Sequence, residues 1–85
     1  MSPTVDEECR LLVQEIKRLG KSDPKHDGKT TIKFGELVMD GRVSNVFEAL
    51  NGTLRAAKKR KLIDFQGEML LQGAHNNVDI VLLAP

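Results

Sequence analysis

Tryptophan and tyrosine are absent from this chain, phenylalanine occurs three times and cysteine once. A single cysteine, Cys9, excludes an internal disulfide, and with His26 and His75 far apart in the chain there is no zinc-ligand spacing. Nothing pairs a nucleophile with a placed base, so no catalytic residue, metal or cofactor is expected. No apolar run is long enough to span a bilayer or form a signal-peptide core, and the opening MSPTVDEE is acidic rather than basic. Together these absences predict a non-enzymatic, soluble protein of a reducing, cytoplasmic compartment, with no membrane partner.

A dominant charge of one sign is also missing. Thirteen Lys and Arg face twelve Asp and Glu, for a formal net charge of +1, so no global field would hold the chain on DNA or an anionic membrane. The stretch DGKTT, residues 27–31, lacks the upstream glycine of a phosphate-binding loop, since Asp23 occupies that position, and it follows a helix pattern rather than a strand.

The 85 residues suffice for one small domain, and hydrophobic and charged fractions of 40% and 29% are those of a chain that folds. Val5, Cys9, Leu12, Val13, Ile16 and Leu19 recur at spacings of three and four, the stripe of an amphipathic helix capped by Thr4 or Ser2 and stopped at Gly20. Residues 1–3 are expected to be disordered, and 20–29, GKSDPKHDGK, to form an exposed loop. TTIKF then reads as a short strand and GELVMD as a brief helix.

Val43, Val46, Phe47, Leu50, Leu54 and Ala57 next predict one long helix, with Ser44 and Asn45 as candidate caps. It should end before Lys61, which at about 100 degrees per residue would rotate onto the apolar stripe. LIDF and VDIVLL read as two strands joined by GEMLLQGAHNN, an excursion with room for an extended segment. The order predicts an α+β fold: a small winged-helix-like domain over residues 1–85, with three helices, a short strand and a C-terminal β-hairpin.

The basic residues of the second half, Arg55, Lys58, Lys59, Arg60 and Lys61, all fall within seven positions. On a helical projection Arg55 and Lys59 share an exposed face, Lys58 flanks the apolar stripe, and Arg60 and Lys61 lead into the strand. Such a run can be a solvated helix end, complementing the helix dipole by about 0.3–1 kcal/mol per cation, or a binding patch. A winged-helix reading would allow nucleic acid. Against it stand the missing Tyr and Trp, a sequence pI of about 7.9 where nucleic-acid domains exceed roughly 9, and charges at the helix C-terminus rather than the base-reading N-terminus. Ala49, Gly52 and Ala56 form a strip of small residues on the same helix, suited to packing within the chain or to a partner helix. His75, beside Asn76 and Asn77, reads as a turn or an exposed recognition loop.

The segments FEAL, GTL, AAKKRK, GE, LLQG and VDI between residues 47 and 83, with IKFGELVMDGR and LLVQEIKRLG upstream, resemble the Costars family, small proteins similar to the C-terminal actin-binding domain of the striated muscle activator of Rho signalling. The resemblance implies a monomeric, cytoskeleton-associated regulator of actin dynamics and cell motility, acting on actin filaments directly or through a severing partner such as cofilin. It assigns partner contact to Arg55, Lys58, Lys59, Arg60 and Lys61, with His75 on the neighbouring hairpin.

Overall fold

The computed structural model describes residues 4–85; residues 1–3, including the candidate cap Ser2, lie outside the described residues. Helix α1 runs Val5–Leu19. The Thr4 hydroxyl accepts the Glu7 N–H at 3.2 Å, Asp6, Glu7 and Glu8 occupy the first turn, and Lys17 and Arg18 the last, so both helix ends carry charges that oppose its dipole. Cys9, Leu12, Val13 and Ile16 are buried as the spacing predicts, whereas Val5 is exposed. The helix stops at Gly20 with φ −79°, so the glycine is not there for a left-handed cap. Close approach requires it: a Cβ on Gly20 would lie 2.8 Å from the Ile16 carbonyl oxygen and from Thr30 Cγ2.

Residues 20–29 are largely exposed, as expected, but form a hairpin rather than a loop. Strand β1, Lys21–Asp23, pairs antiparallel with β2, Lys29–Lys33, and a 3-10 turn over Pro24–His26 joins them. The turn chemistry that suggests a loop here closes a hairpin. Asp23 caps the turn by accepting Lys25 N–H at 2.9 Å, Pro24 supplies the preset φ, and Asp27 and Gly28 take left-handed conformations. β1 is polar and largely exposed, so pairing with β2 rather than burial makes it a strand.

Helix α2, Phe34–Met39, matches the expected brief helix. The single long helix predicted next is two: α3, Gly41–Val46, and α4, Leu50–Lys59. Asp40, not Ser44 or Asn45, caps α3, accepting from Arg42 N–H at 3.0 Å and Val43 N–H at 3.1 Å. Phe47 then turns extended, at φ −108° and ψ 119°, which sends its ring into the core and leaves Val46 outside. α4 restarts after this corner and buries Thr53, Leu54 and Ala57, packing against α1. The Thr53 hydroxyl donates to Glu8 Oε2 at 2.9 Å across that contact.

The last strands are β3, Ile63–Asp64, and β4, Asp79–Leu82, paired antiparallel as expected; the intervening excursion contains no strand. β4 also pairs with β2, with Thr31 opposite Val81 and Ile32 opposite Ile80, so the antiparallel sheet has the order β1-β2-β4-β3. The α+β class stands, with four helices and four strands among the described residues because one helix breaks and the hairpin over 20–29 adds an edge. Leu12, Ile16, Phe34, Leu37, Val43, Leu54, Ile63, Leu70 and Ile80 form the centre of one apolar core between helices and sheet. Among the described residues no helix is long and apolar enough to cross a membrane.

Candidate protein-binding surface

The five basic residues of the run point in different directions. Arg55 and Lys59 are exposed on the outer face of α4 and, among the described residues, neither makes an ion pair or a side-chain hydrogen bond. They line an open concavity with Gly52, Ala56, the stem of Lys58 and, from beyond β3, Glu68. Arg60 turns back to α1: its Nη2 lies 3.2 Å from Asp6 Oδ1 and its Nη1 4.0 Å from Cys9 Sγ.

Lys58 is committed inside the molecule. Its Nζ donates to the Phe65 carbonyl at 2.6 Å and to the Gly67 carbonyl, and sits 4.3 Å from the centroid of the Phe65 ring. The ammonium thus braces the chain where it leaves β3, combining charge-assisted hydrogen bonds with a cation–π contact. Nothing local in the sequence signals this, because donor and acceptors lie on different elements.

Lys61 is exposed and has φ +61°. Its N–H reaches the Lys58 carbonyl at 3.0 Å and Leu62 N–H the Ala57 carbonyl at 2.9 Å, the two bonds of a Schellman ending, with a lysine where glycine is usual. The helix therefore ends before Lys61, as its position on the projection requires, and β3 begins at once.

The strip Ala49, Gly52 and Ala56 is not buried against another element along its whole length. A Cβ on Gly52 would meet only Ala49 Cβ, at 4.0 Å, so packing within the chain does not explain that glycine. The strip forms a low saddle between the basic concavity and a second shallow one lined by Val5, Glu8 and Thr53.

His75 serves its own loop. Its Nδ1 accepts the Leu71 N–H at 2.8 Å, its N–H donates to the Leu71 carbonyl at 2.9 Å, and Asn76 Oδ1 accepts Gly73 N–H at 2.8 Å. The turn reading of His75 describes these contacts. On either side of buried Leu70 this loop exposes Met69 and Leu71, and Gln72 Nε2 lies 3.6 Å from Sδ of exposed Met39 on α2. The sequence reading missed this apolar ridge; the signal available was LL within a turn-rich segment.

The remaining titratable clusters are structural. Asp79 accepts Lys33 Nζ at 2.7 Å and lies 3.1 Å from His26 Nε2, and with Asp23 it forms the one His/Asp group among the described residues tight enough for a cation. Lys33 first and His26 second hold the Asp79 carboxyl below its usual range. With the Lys33 ammonium already on that carboxylate, the group ties the β1–β2 hairpin to the central strand. Glu15, buried on α1, is met by Arg18 at 2.9 Å and Arg42 at 3.4 Å. Burial pushes the Cys9 thiol up, with Arg60 opposing, so at neutral pH it is a protonated core group rather than a nucleophile.

The Costars family profile matches residues 4–83. A Costars family protein ABRACL of Xenopus tropicalis is 61% identical over 79 residues, which cover 93% of this chain and 95% of the frog protein. A Costars family protein of Picea sitchensis is 58% identical over 85 residues, 100% of this chain and 87% of its own. The solution structure of the human HSPC280 protein superposes with a TM-score of 0.86 at 53% identity, covering 98% of this chain and 95% of that one. A match across the sheet, all four helices and the basic run admits one conclusion: the chain belongs to the Costars family.

Proposed function

We propose that this protein is a non-enzymatic regulator of actin dynamics, cytoplasmic and cytoskeleton-associated, that binds actin or an actin regulator such as a severing factor through the α4 concavity. The observation that carries the reading is the pair Arg55 and Lys59, the two cations of the helix that are exposed and, among the described residues, without an internal partner around a shared concavity. The family resemblance supplies the cytoskeletal context, and an acidic protein surface is the chemistry that two such cations complement. Lys58, Arg60 and Lys61 support the site indirectly: the first braces the Phe65–Gly67 segment, the second joins α4 to α1, and the third ends the helix.

Nucleic acid fits less well. Phe34, Phe47 and Phe65 are all buried, so no aromatic ring is available for base stacking, and the five cations do not share one face. Non-enzymatic action agrees with a buried thiol at Cys9 and with both histidines engaged in structural contacts.

Co-sedimentation with filamentous actin at low and physiological salt tests the reading, using an Arg55→Glu/Lys59→Glu variant beside the wild type. Pelleting that weakens with salt and is lost in the variant is the expected result, since exposed charges are screened over roughly 8 Å at physiological ionic strength. Wild-type pelleting that the variant retains would remove the site assignment. Absence of pelleting at both salts would remove direct filament binding, leaving the severing partner as the target to titrate.

A further inference from the structure

We infer that the surface running from Arg55 and Lys59 past Glu68 to Met69, Leu71 and Met39 docks an acidic amphipathic helix of a partner protein. The inference rests on the reading above for its basic half; it adds an apolar half and the conformation of the partner segment. Glu68 lines the basic concavity, and the chain passes directly from it into Met69, buried Leu70 and Leu71. Gln72 then brings the ridge against Met39. Met39, Met69 and Leu71 are 72%, 50% and 49% exposed. Single exposed apolar residues are ordinary, but Met69 and Leu71 on either side of buried Leu70, linked to Met39 through Gln72 and following Glu68 of the basic concavity, form a mixed surface that water solvates poorly. Methionine is suited to such a surface, because its flexible thioether adapts to varied partners.

The ridge is held in place before any partner arrives. Leu70 anchors it in the core, His75 Nδ1 fixes the Leu71 amide, and the Asn76 carbonyl accepts the Gly35 N–H at 3.0 Å. Lys58 secures the near end through the Phe65 and Gly67 carbonyls. A preformed surface loses little entropy on binding, which favours recognition over random adhesion.

The form of the partner follows from what the rest of the fold offers. Strand addition needs an open sheet edge, and the edge strands β1 and β3 are three and two residues long. Recognition of a polyproline segment needs an aromatic-lined groove, and all three phenylalanines are buried. Side-chain docking of a helix remains, with apolar anchors on Met39, Met69 and Leu71 and carboxylates on Arg55 and Lys59.

The test uses two synthetic helical peptides of equal negative charge, one with leucines at i, i+3, i+4 and i+7 and the other with serines there, titrated into the full chain and followed by methyl and amide NMR. The leucine peptide should bind about tenfold tighter or more, about 1.4 kcal/mol or more, shifting the methyls of Met39, Met69 and Leu71 and the amides of Arg55 and Lys59. Met39→Ser/Met69→Ser/Leu71→Ser should erase the preference while Arg55→Glu/Lys59→Glu weakens both peptides; thermal melts confirm that both variants fold, and Met39→Ser alone, at the most exposed site, serves if the triple variant does not. Equal binding of the two peptides, no binding of either, or a preference that survives the ridge substitutions would overturn the inference. So would binding to phosphatidylserine vesicles in place of the peptides. Because the probes are peptides and not actin, absence of actin pelleting with the peptide preference intact removes only direct filament binding, and actin pelleting without a peptide preference overturns only the docking mode.

Discussion

Lys58 and Lys59 are adjacent, identical in chemistry and opposite in role. Lys58 Nζ satisfies two carbonyls and covers a ring, whereas Lys59 projects into solvent. Hydrogen bonds to a charged group contribute about 1.5–3 kcal/mol, so Lys58→Ala should lower urea stability by that order, while Lys59→Ala stays within about 0.5 kcal/mol. Comparable losses for the two would mean that the brace does not hold in solution. Lys61 poses a different question. Its left-handed backbone costs a non-glycine residue roughly 1–2 kcal/mol, and glycine returns about 0.4–1 kcal/mol of that by loosening the unfolded chain. Lys61→Gly should therefore stabilise by up to about 1.5 kcal/mol, read as a higher urea midpoint; a lower midpoint would show that the Lys61 side chain contributes to stability. The helix end was legible because Lys61 falls on the apolar stripe. The left-handed turn was not, since its usual cue is a glycine or asparagine.

At the level of elements, the apolar stripe located α1, and short runs of β-branched or apolar residues located α2, β2 and β4, the last buried on both faces through Ile80, Val81 and Leu82. Periodicity joined α3 and α4 because Val43, Phe47, Leu54 and Ala57 keep helical spacing through the corner at Phe47. Only the backbone reveals the break: Phe47 is extended and Ala49, at φ −132° and ψ 71°, precedes the restart of α4. β1 was hidden for the converse reason: a polar edge strand buries nothing, so its only signal is its partner. The basic run was visible as composition, but its division into two outward cations, a brace, an α1 contact and a helix end depends on distances across elements. Two glycines test how far these elements are packed. Gly52 sits inside α4 with open space at its Cβ position, so Gly52→Ala should raise stability by about 0.5–1 kcal/mol. Gly20→Ala should lower it, since its Cβ would meet backbone and side-chain atoms of two elements at 2.8 Å. Thermal melts of the two variants should move in opposite directions.

For the whole molecule, two carboxylates join parts of the fold that are distant in sequence. Asp79 ties β4 to Lys33 of β2 and to His26 of the hairpin turn, and Asp40 caps α3 while receiving Arg18 Nη2 of α1 at 2.8 Å. Asp40 is held below the usual carboxylate range by the Val43 N–H first and Arg18 next, and Asp79 by Lys33 and then His26. A carboxyl with a depressed folded pKa stabilises the folded state above its unfolded value, near 3.9, and that contribution disappears as pH falls through the folded pKa. Urea midpoints should therefore be insensitive to these two groups between neutral pH and about pH 5, then decline below about pH 4. Asp40→Asn and Asp79→Asn should each be less stable than the wild type at neutral pH, with the gap closing in acid as the wild-type carboxyls protonate. A gap that stays constant down to acid pH would mean that the asparagines fail for reasons of shape, and that charge on Asp40 does not hold α3 to α1, nor charge on Asp79 the hairpin to the sheet.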